Sequence, residues 1–258
     1  MERIADYGVY TDAMRRAMQD KTWFLELIDA KTVVDYGCAD GALIQYISQA
    51  MPGVFDLVGI DIDETMLRLA QQAVPSGRFC TPEQFLTQPA AYDDCCLNCG
   101  SVIHEVYSFG NDRSIADFWD FTFQAGFRYV AIRDMAMTVR DYGQSHEEIA
   151  ALSEKLSSHP LTTNTFHQYL AHIGRTPGYK DLIHYLLKYK YLVNWEREMR
   201  EDYFPLSVEE VLLKIPTDRY KVSYFQHYTL PFTKGQIKRE LGIDQNVPTH
   251  YKLLLERV

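Results

Sequence analysis

Residues 33–41 read VVDYGCADG, and a helix-forming run follows them. Glycines at 37 and 41 let a backbone turn approach a ligand closely, and the first turn of the following helix offers free N–H donors. Asp61 lies twenty residues beyond Gly41 and closes the run VGID. An acid at a strand end can accept both hydroxyls of a ribose. Taken singly, the glycines are ordinary turn residues and the acid an ordinary helix cap. In this order and spacing they point to a nucleoside-bearing ligand. The middle glycine of the dinucleotide fingerprint G-x-G-x-x-G is absent, and Asp35 and Asp40 lie beside the turn. Two carboxylates repel a pyrophosphate and suit a cationic ligand that carries an amino group and a sulfonium.

These groups need a scaffold, and the pattern of the chain supplies one. Segments 32–37, 55–63, 78–80, 93–103 and 127–135 are short β-branched or apolar runs, as in buried strands. Segments 41–51, 64–74, 82–88 and 114–126 between them have helical spacing. Strict alternation of strand and helix predicts parallel strands with crossover helices on both faces. A leading helix is predicted over 11–27. From about Ser145 to Leu213 the pattern is helical throughout, and Ser207 with Glu210 forms a capping box. Strand signal returns at 220–230 and 249–258 around a short helix at 234–241. The fold class expected is α/β: a doubly wound, mostly parallel seven-stranded sheet with a helical insertion between strands five and six. The expected division is a leading helical segment, 1–29, over the cofactor site. A core follows at 30–137 and 219–258, with an insertion at 138–218 forming a lid over substrate.

On these residues the chain resembles the class I, Rossmann-like S-adenosylmethionine-dependent methyltransferases over about 30–135. VVDYGCADGAL is similar to their glycine-rich first motif, VGIDIDETML to the acidic second, and YDDCCLNCGSVIHEVY to the fourth-strand motif. Ala39 stands where a glycine is usual. The resemblance implies S-adenosyl-L-methionine as cofactor. Asp35, Gly37, Cys38, Ala39 and Gly41 would line its methionine portion. Asp61 would hold the ribose, and Ile62 and Met66 would pack near the adenine. Thr81 or Glu83 would meet the adenine amine, and Asn98, Cys99 and Gly100 would border the methyl group.

Methyl transfer is an in-line displacement in which the protein mainly aligns the nucleophile and sometimes removes its proton. The acceptor must therefore lie at the carboxyl ends of strands four and five. His104 and Glu105 follow strand four directly. A histidine that titrates near neutrality could act as general base there, or simply cap or bond within the next helix turn. Tyr107 and Tyr10 are candidates for the acceptor pocket. Arg133 and Asp134 close strand five and suit either a charged acceptor or an internal salt bridge.

The 258 residues carry a net charge of −9, with 47% apolar residues. That apolar share suffices for a large core. The acidity disfavours general binding of nucleic acid, which would need a local basic patch. Aromatic residues are dense between 166 and 228, interleaved with lysine and arginine. They read as a stacking lid for a planar acceptor or as rings packed against the sheet. Five cysteines fall in strand-like or strand-end segments, as in a reduced cytoplasmic protein, and no metal site is expected. MERIADYGVY lacks a signal-peptide pattern, and no run of eighteen apolar residues suggests a membrane span. The functions in contention are a methyltransferase acting on an O or N atom of a small molecule, an RNA or nucleotide methyltransferase, and a non-catalytic S-adenosylmethionine-binding module.

Overall fold

A computed structural model describes residues 18–87 and 92–258. Tyr10 and residues 11–17 of the expected leading helix lie outside the described residues. Among the described residues helix α1 covers Met18–Lys21, and the chain then runs in turns to Leu27 rather than as helix. The Thr22 N–H makes the last helical bond, to the Met18 carbonyl four residues back, where its hydroxyl also bonds; the Leu25 and Leu27 N–H groups then reach back only three residues, and Phe24 and Leu25 turn into the core.

Seven strands form one sheet in the order β3-β2-β1-β4-β5-β7-β6. They are β1 (Thr32–Tyr36), β2 (Asp56–Ile60), β3 (Arg78–Cys80), β4 (Cys95–Gly100), β5 (Tyr129–Met135), β6 (Tyr220–Tyr228) and β7 (His250–Arg257). The first five pair in parallel, while β7 runs antiparallel to both β5 and β6. The central strands are buried on both faces, which is why they read as apolar runs rather than alternating ones. Val34, Leu97 and Ile132 pack on one face against Phe118 and Phe121, and Val33, Cys96 and Ala131 pack on the other against Leu43 and Ile47.

Helices α2 (Ala42–Ala50), α3 (Glu64–Ala73), α4 (Pro82–Leu86), α5 (Ile103–Phe109) and α6 (Asp112–Gln124) fill the crossovers. Their starts follow the capping chemistry of the sequence. The Asp63 carboxylate accepts from the Thr65 and Met66 N–H groups, and Asn111 accepts from Ser114 N–H. Helix α5 was not separable from strand four in the sequence. Strand β4 stops at Gly100 because Ser101 takes φ +61°, and the Ile103 N–H is capped by Asp134, which comes from another strand.

Between β5 and β6 lie α7 (His146–Ser158), α8 (Thr163–Ile173), α9 (Tyr179–Lys188), α10 (Trp195–Arg200) and α11 (Val208–Leu213). Helix α12 (Pro231–Leu241) precedes β7. Phe166, Tyr169, Tyr185, Tyr203 and Phe204 join Ile237 and Leu241 in a core of their own. Most of the aromatic concentration noted in the sequence is therefore packing. No described helix is long and apolar enough to cross a membrane.

Candidate active site

The strand order reverses direction between β1 and β4, and ligands of open α/β sheets bind where that happens, beyond the carboxyl ends of the strands. Asp35 of β1 and Asn98 of β4 are register partners at that seam. Asn98 Nδ2 donates to Asp35 Oδ1 at 2.7 Å. Asn98 is fully buried, yet its Oδ1 has no partner. A buried, orphaned acceptor is costly and marks a place where a donor belongs. Burial raises the Asp35 carboxyl to about 6, against the hydrogen bond from Asn98 and the charge of Lys21.

The turn after β1 closes over this seam. Gly37, Ala39 and Gly41 have φ of +76°, +47° and +79°. The Gly37 and Cys38 N–H groups bond the Ile60 carbonyl of β2. Asp61 ties the same turn from the other side: Oδ2 accepts from Ala39 N–H and Oδ1 from Asp63 N–H, both at 2.9 Å. A Cβ at Gly37 would lie 2.9 Å from Val102 Cγ2. Gly37→Val is therefore expected to lose about 1–3 kcal/mol of stability from backbone conformation alone, with further loss from that contact. Urea denaturation at constant m-value reads it, and an unchanged midpoint would remove the steric account.

The remaining residues singled out for a cofactor divide. Ile62 is 71% exposed beside the crevice, and Met66 is half-buried in the first turn of α3. Gly100 ends β4, and a Cβ there would crowd the Asn98 amide at 3.1 Å. Two cysteine side chains point away from the crevice: Cys38 packs with Ile44 and Leu67, and Cys99 with the core around Phe118. Thr81 is taken up as a cap, its hydroxyl accepting from Gln84 N–H, and Glu83 is exposed in the first turn of α4.

At the ends of β4 and β5 the structure corrects the ionisation expected of His104. The ring is buried, with Nδ1 2.6 Å from Asp134 Oδ1 and Nε2 3.0 Å from Glu201 Oε1. Burial alone would lower its pKa. The Asp134 charge and the ring's hydrogen bonds to both carboxylates instead raise it to about 10. The imidazole is therefore protonated at neutral pH, with both nitrogens donating, and has no lone pair for a proton. The sequence could not show this, because Glu201 reaches the ring from beyond α10. Asp134 is not a free acceptor-binding group either: Oδ2 caps Ile103 N–H at 2.7 Å and Oδ1 accepts from Met135 N–H at 2.8 Å.

Arg133 and Asp134 do not pair with each other. Arg133 Nε donates to Asp20 Oδ2 at 2.9 Å, and another guanidinium nitrogen donates to Ser101 Oγ at 2.9 Å. Asp20 also accepts from Tyr228 at 2.7 Å and pairs with Lys252 at 2.7 Å, which fastens α1 to β5, β6 and β7. Tyr107 accepts from Trp119 Nε1 at 3.0 Å. Glu105 keeps 38% of its side chain exposed, and Arg197 bridges it to Glu201 at 3.3 and 2.6 Å. Burial raises the Glu105 carboxyl above the usual range. Asp20, Arg197 and Glu201 were missed in the sequence, where each looks like a charge on a solvated helix face.

No family model matches the chain, and no curated protein sequence matches it. Solved structures do resemble it. An S-adenosylmethionine dependent methyltransferase from Mesorhizobium loti superimposes with a TM-score of 0.52 at 14% identity, covering 95% of this chain and all of that one. The pyocyanin biosynthetic protein PhzM gives 0.52 at 13%, covering 95% of this chain and 56% of that longer one. The magnesium protoporphyrin IX methyltransferase of Synechocystis PCC 6803, solved with bound S-adenosylhomocysteine, gives 0.50 at 12%, covering all of this chain and 89% of that one. The chain thus has the fold of the class I, Rossmann-like S-adenosylmethionine-dependent methyltransferases.

Proposed function

We propose that the protein is an S-adenosyl-L-methionine-dependent methyltransferase acting on an O or N atom of a small molecule. The observation that carries this reading is the buried pair Asp35–Asn98 with its orphaned acceptor. A carboxylate and an unpartnered amide oxygen at the switch point fit an ammonium group, and they do not fit a phosphate. Asp61 would hold the ribose, while Ile62 and Met66 would flank the adenine. The cofactor supplies an electrophilic methyl group when bound. This chain's residues bind it, exclude water and orient the acceptor.

His104 and Glu105 line the acceptor side. Protonated and bonded at both nitrogens, His104 orients the wall rather than abstracting a proton, and Glu105 is more accessible than Glu201. Helices α7 to α11 cover this edge as a lid. Their rings are mostly buried in that unit's own core, which favours a small acceptor over a nucleic-acid base stacked on exposed aromatics.

Calorimetric titration tests the reading. S-adenosylmethionine is expected to bind one per chain, and NAD+ is not. Affinity should weaken as pH falls below about 6, where Asp35 takes up a proton and the ammonium loses its counter-charge. Binding of NAD+ without S-adenosylmethionine would reverse the assignment.

A further inference from the structure

We infer that His104, Glu105 and Glu201 form a binding site for one divalent transition-metal ion at the acceptor edge of the sheet. One ligand atom from each lies within 4.8 Å of the other two. His104 and Glu201 are 5% and 3% exposed, whereas Glu105 opens to solvent and gives an ion access.

The histidine carries the argument. A metal-binding imidazole usually has its far nitrogen bonded to a carboxylate, which fixes the ring and makes the near nitrogen a better donor. Asp134 does this at 2.6 Å, and is itself held by three backbone N–H groups. The near nitrogen, Nε2, then faces Glu201 Oε1 at 3.0 Å. Metal–ligand bonds of ~2.1 Å at right angles place neighbouring donors ~3.0 Å apart. The separation is thus that of two ligands on one octahedral edge. In the metal-free protein a proton occupies this contact. On binding, the ion takes the proton's place and the proton leaves to solvent.

Arg197 meets Oε2 of both glutamates, so each carboxylate keeps a second oxygen. The charge of Lys21 acts on Glu105 and that of Lys188 on Glu201, and Lys188 itself donates to the carbonyls of Glu198 and Glu201. Three carboxylates converge on His104 and its neighbours, namely Asp134, Glu105 and Glu201. An imidazole and carboxylates without thiolate suit Mn2+, Fe2+ or Zn2+.

The site stands apart from the cofactor assignment, since its test needs no cofactor and no turnover. Full-length protein stripped with a chelator is titrated with Mn2+ and followed by electron paramagnetic resonance of the free ion. One Mn2+ per chain is expected, with broadening of the His104 ring resonances in NMR. Glu105→Gln, at a half-exposed position where the fold should survive, is expected to weaken binding by about 10–100-fold. His104→Gln should weaken it further if the variant folds. Absence of bound Mn2+ at about 1 mM added metal would overturn the site. So would binding undiminished in Glu105→Gln, which would place the ion elsewhere.

Discussion

Replacing His104 with alanine is expected to lower folding stability by about 3–5 kcal/mol in metal-free protein at neutral pH. The imidazolium lies between Asp134 and Glu201, both buried. Removing it leaves the buried Asp134 carboxylate without its ion-pair partner, while Glu201 keeps Arg197, and an uncompensated buried charge is far more costly than a lost surface pair. The pH dependence follows from the same contacts. Folded His104 keeps its proton up to about pH 10, whereas an unfolded histidine releases it near about 6.5. Its stabilisation is therefore fully present below about 6.5 and is lost as pH rises through about 10. Asp134 and Glu201 are held below their ordinary values, chiefly against burial and by the charge and hydrogen bonds of His104. Their contribution is present above the ordinary carboxylate range and is lost as pH falls through their depressed folded values. Lys21 and Lys188, both lowered to about 8 by burial, act oppositely to His104 on the alkaline side. The difference between wild type and His104→Ala removes that background. Urea midpoints taken from pH 6 to 10.5 should show the two proteins converging as pH rises. A gap of about 1 kcal/mol that stays constant with pH, the size of a lost helix cap, would mean that His104 is not held as a charge.

This result bears on how much of the molecule is legible in its sequence. Strands β1 to β5 and most of their crossovers follow from local pattern, because each buried strand is a short apolar run and helices α3, α4 and α6 carry a side-chain cap within three residues. The turn at Gly37 to Gly41 and the acid at Asp61 were readable for the same reason: their chemistry is local. The acceptor edge is not local. Asp20 reaches Arg133, and Glu201 reaches His104, from segments far apart in the sequence. In the sequence, glutamates and arginines at helical spacing look alike whether they face water or a buried imidazole. Helix α5 was hidden for a related reason, since the carboxylate that caps it belongs to β5. Arg133 and Asp134, adjacent in sequence, point to opposite partners because alternate residues of a strand face opposite ways. Their adjacency suggested a pair, and the pleat separates them. The five cysteines, four in strands and Cys38 in the turn after β1, were by contrast legible as buried free thiols.

Asp61→Ala is expected to cut affinity for S-adenosylmethionine by about 10²–10⁴-fold while leaving the sheet folded. The carboxylate already accepts one backbone N–H on each oxygen, from Ala39 and Asp63. An ionised carboxylate has about four lone-pair sites, so each oxygen retains room for one more donor. Two ribose hydroxyls are the donors that the proposed cofactor brings to this strand end. Hydrogen bonds to a charged acceptor contribute about 1.5–3 kcal/mol each, and two of them give the range stated. Loss of the tie to Ala39 adds to this, because that residue sits at φ +47° in the turn that would close over the proposed cofactor. The fold should tolerate the change: Asp61 follows β2, its burial is partial, and Gly37 and Cys38 remain bonded to Ile60. Asp61→Asn is the informative companion. Its one carbonyl oxygen can accept from a single hydroxyl or from a backbone N–H, and its amide faces donors, so it should fall between wild type and alanine or near alanine. Calorimetry on variants whose circular dichroism and melting temperature match wild type makes the comparison. Full affinity in folded Asp61→Ala would detach the ribose from this acid and, with it, the cofactor from this end of the sheet.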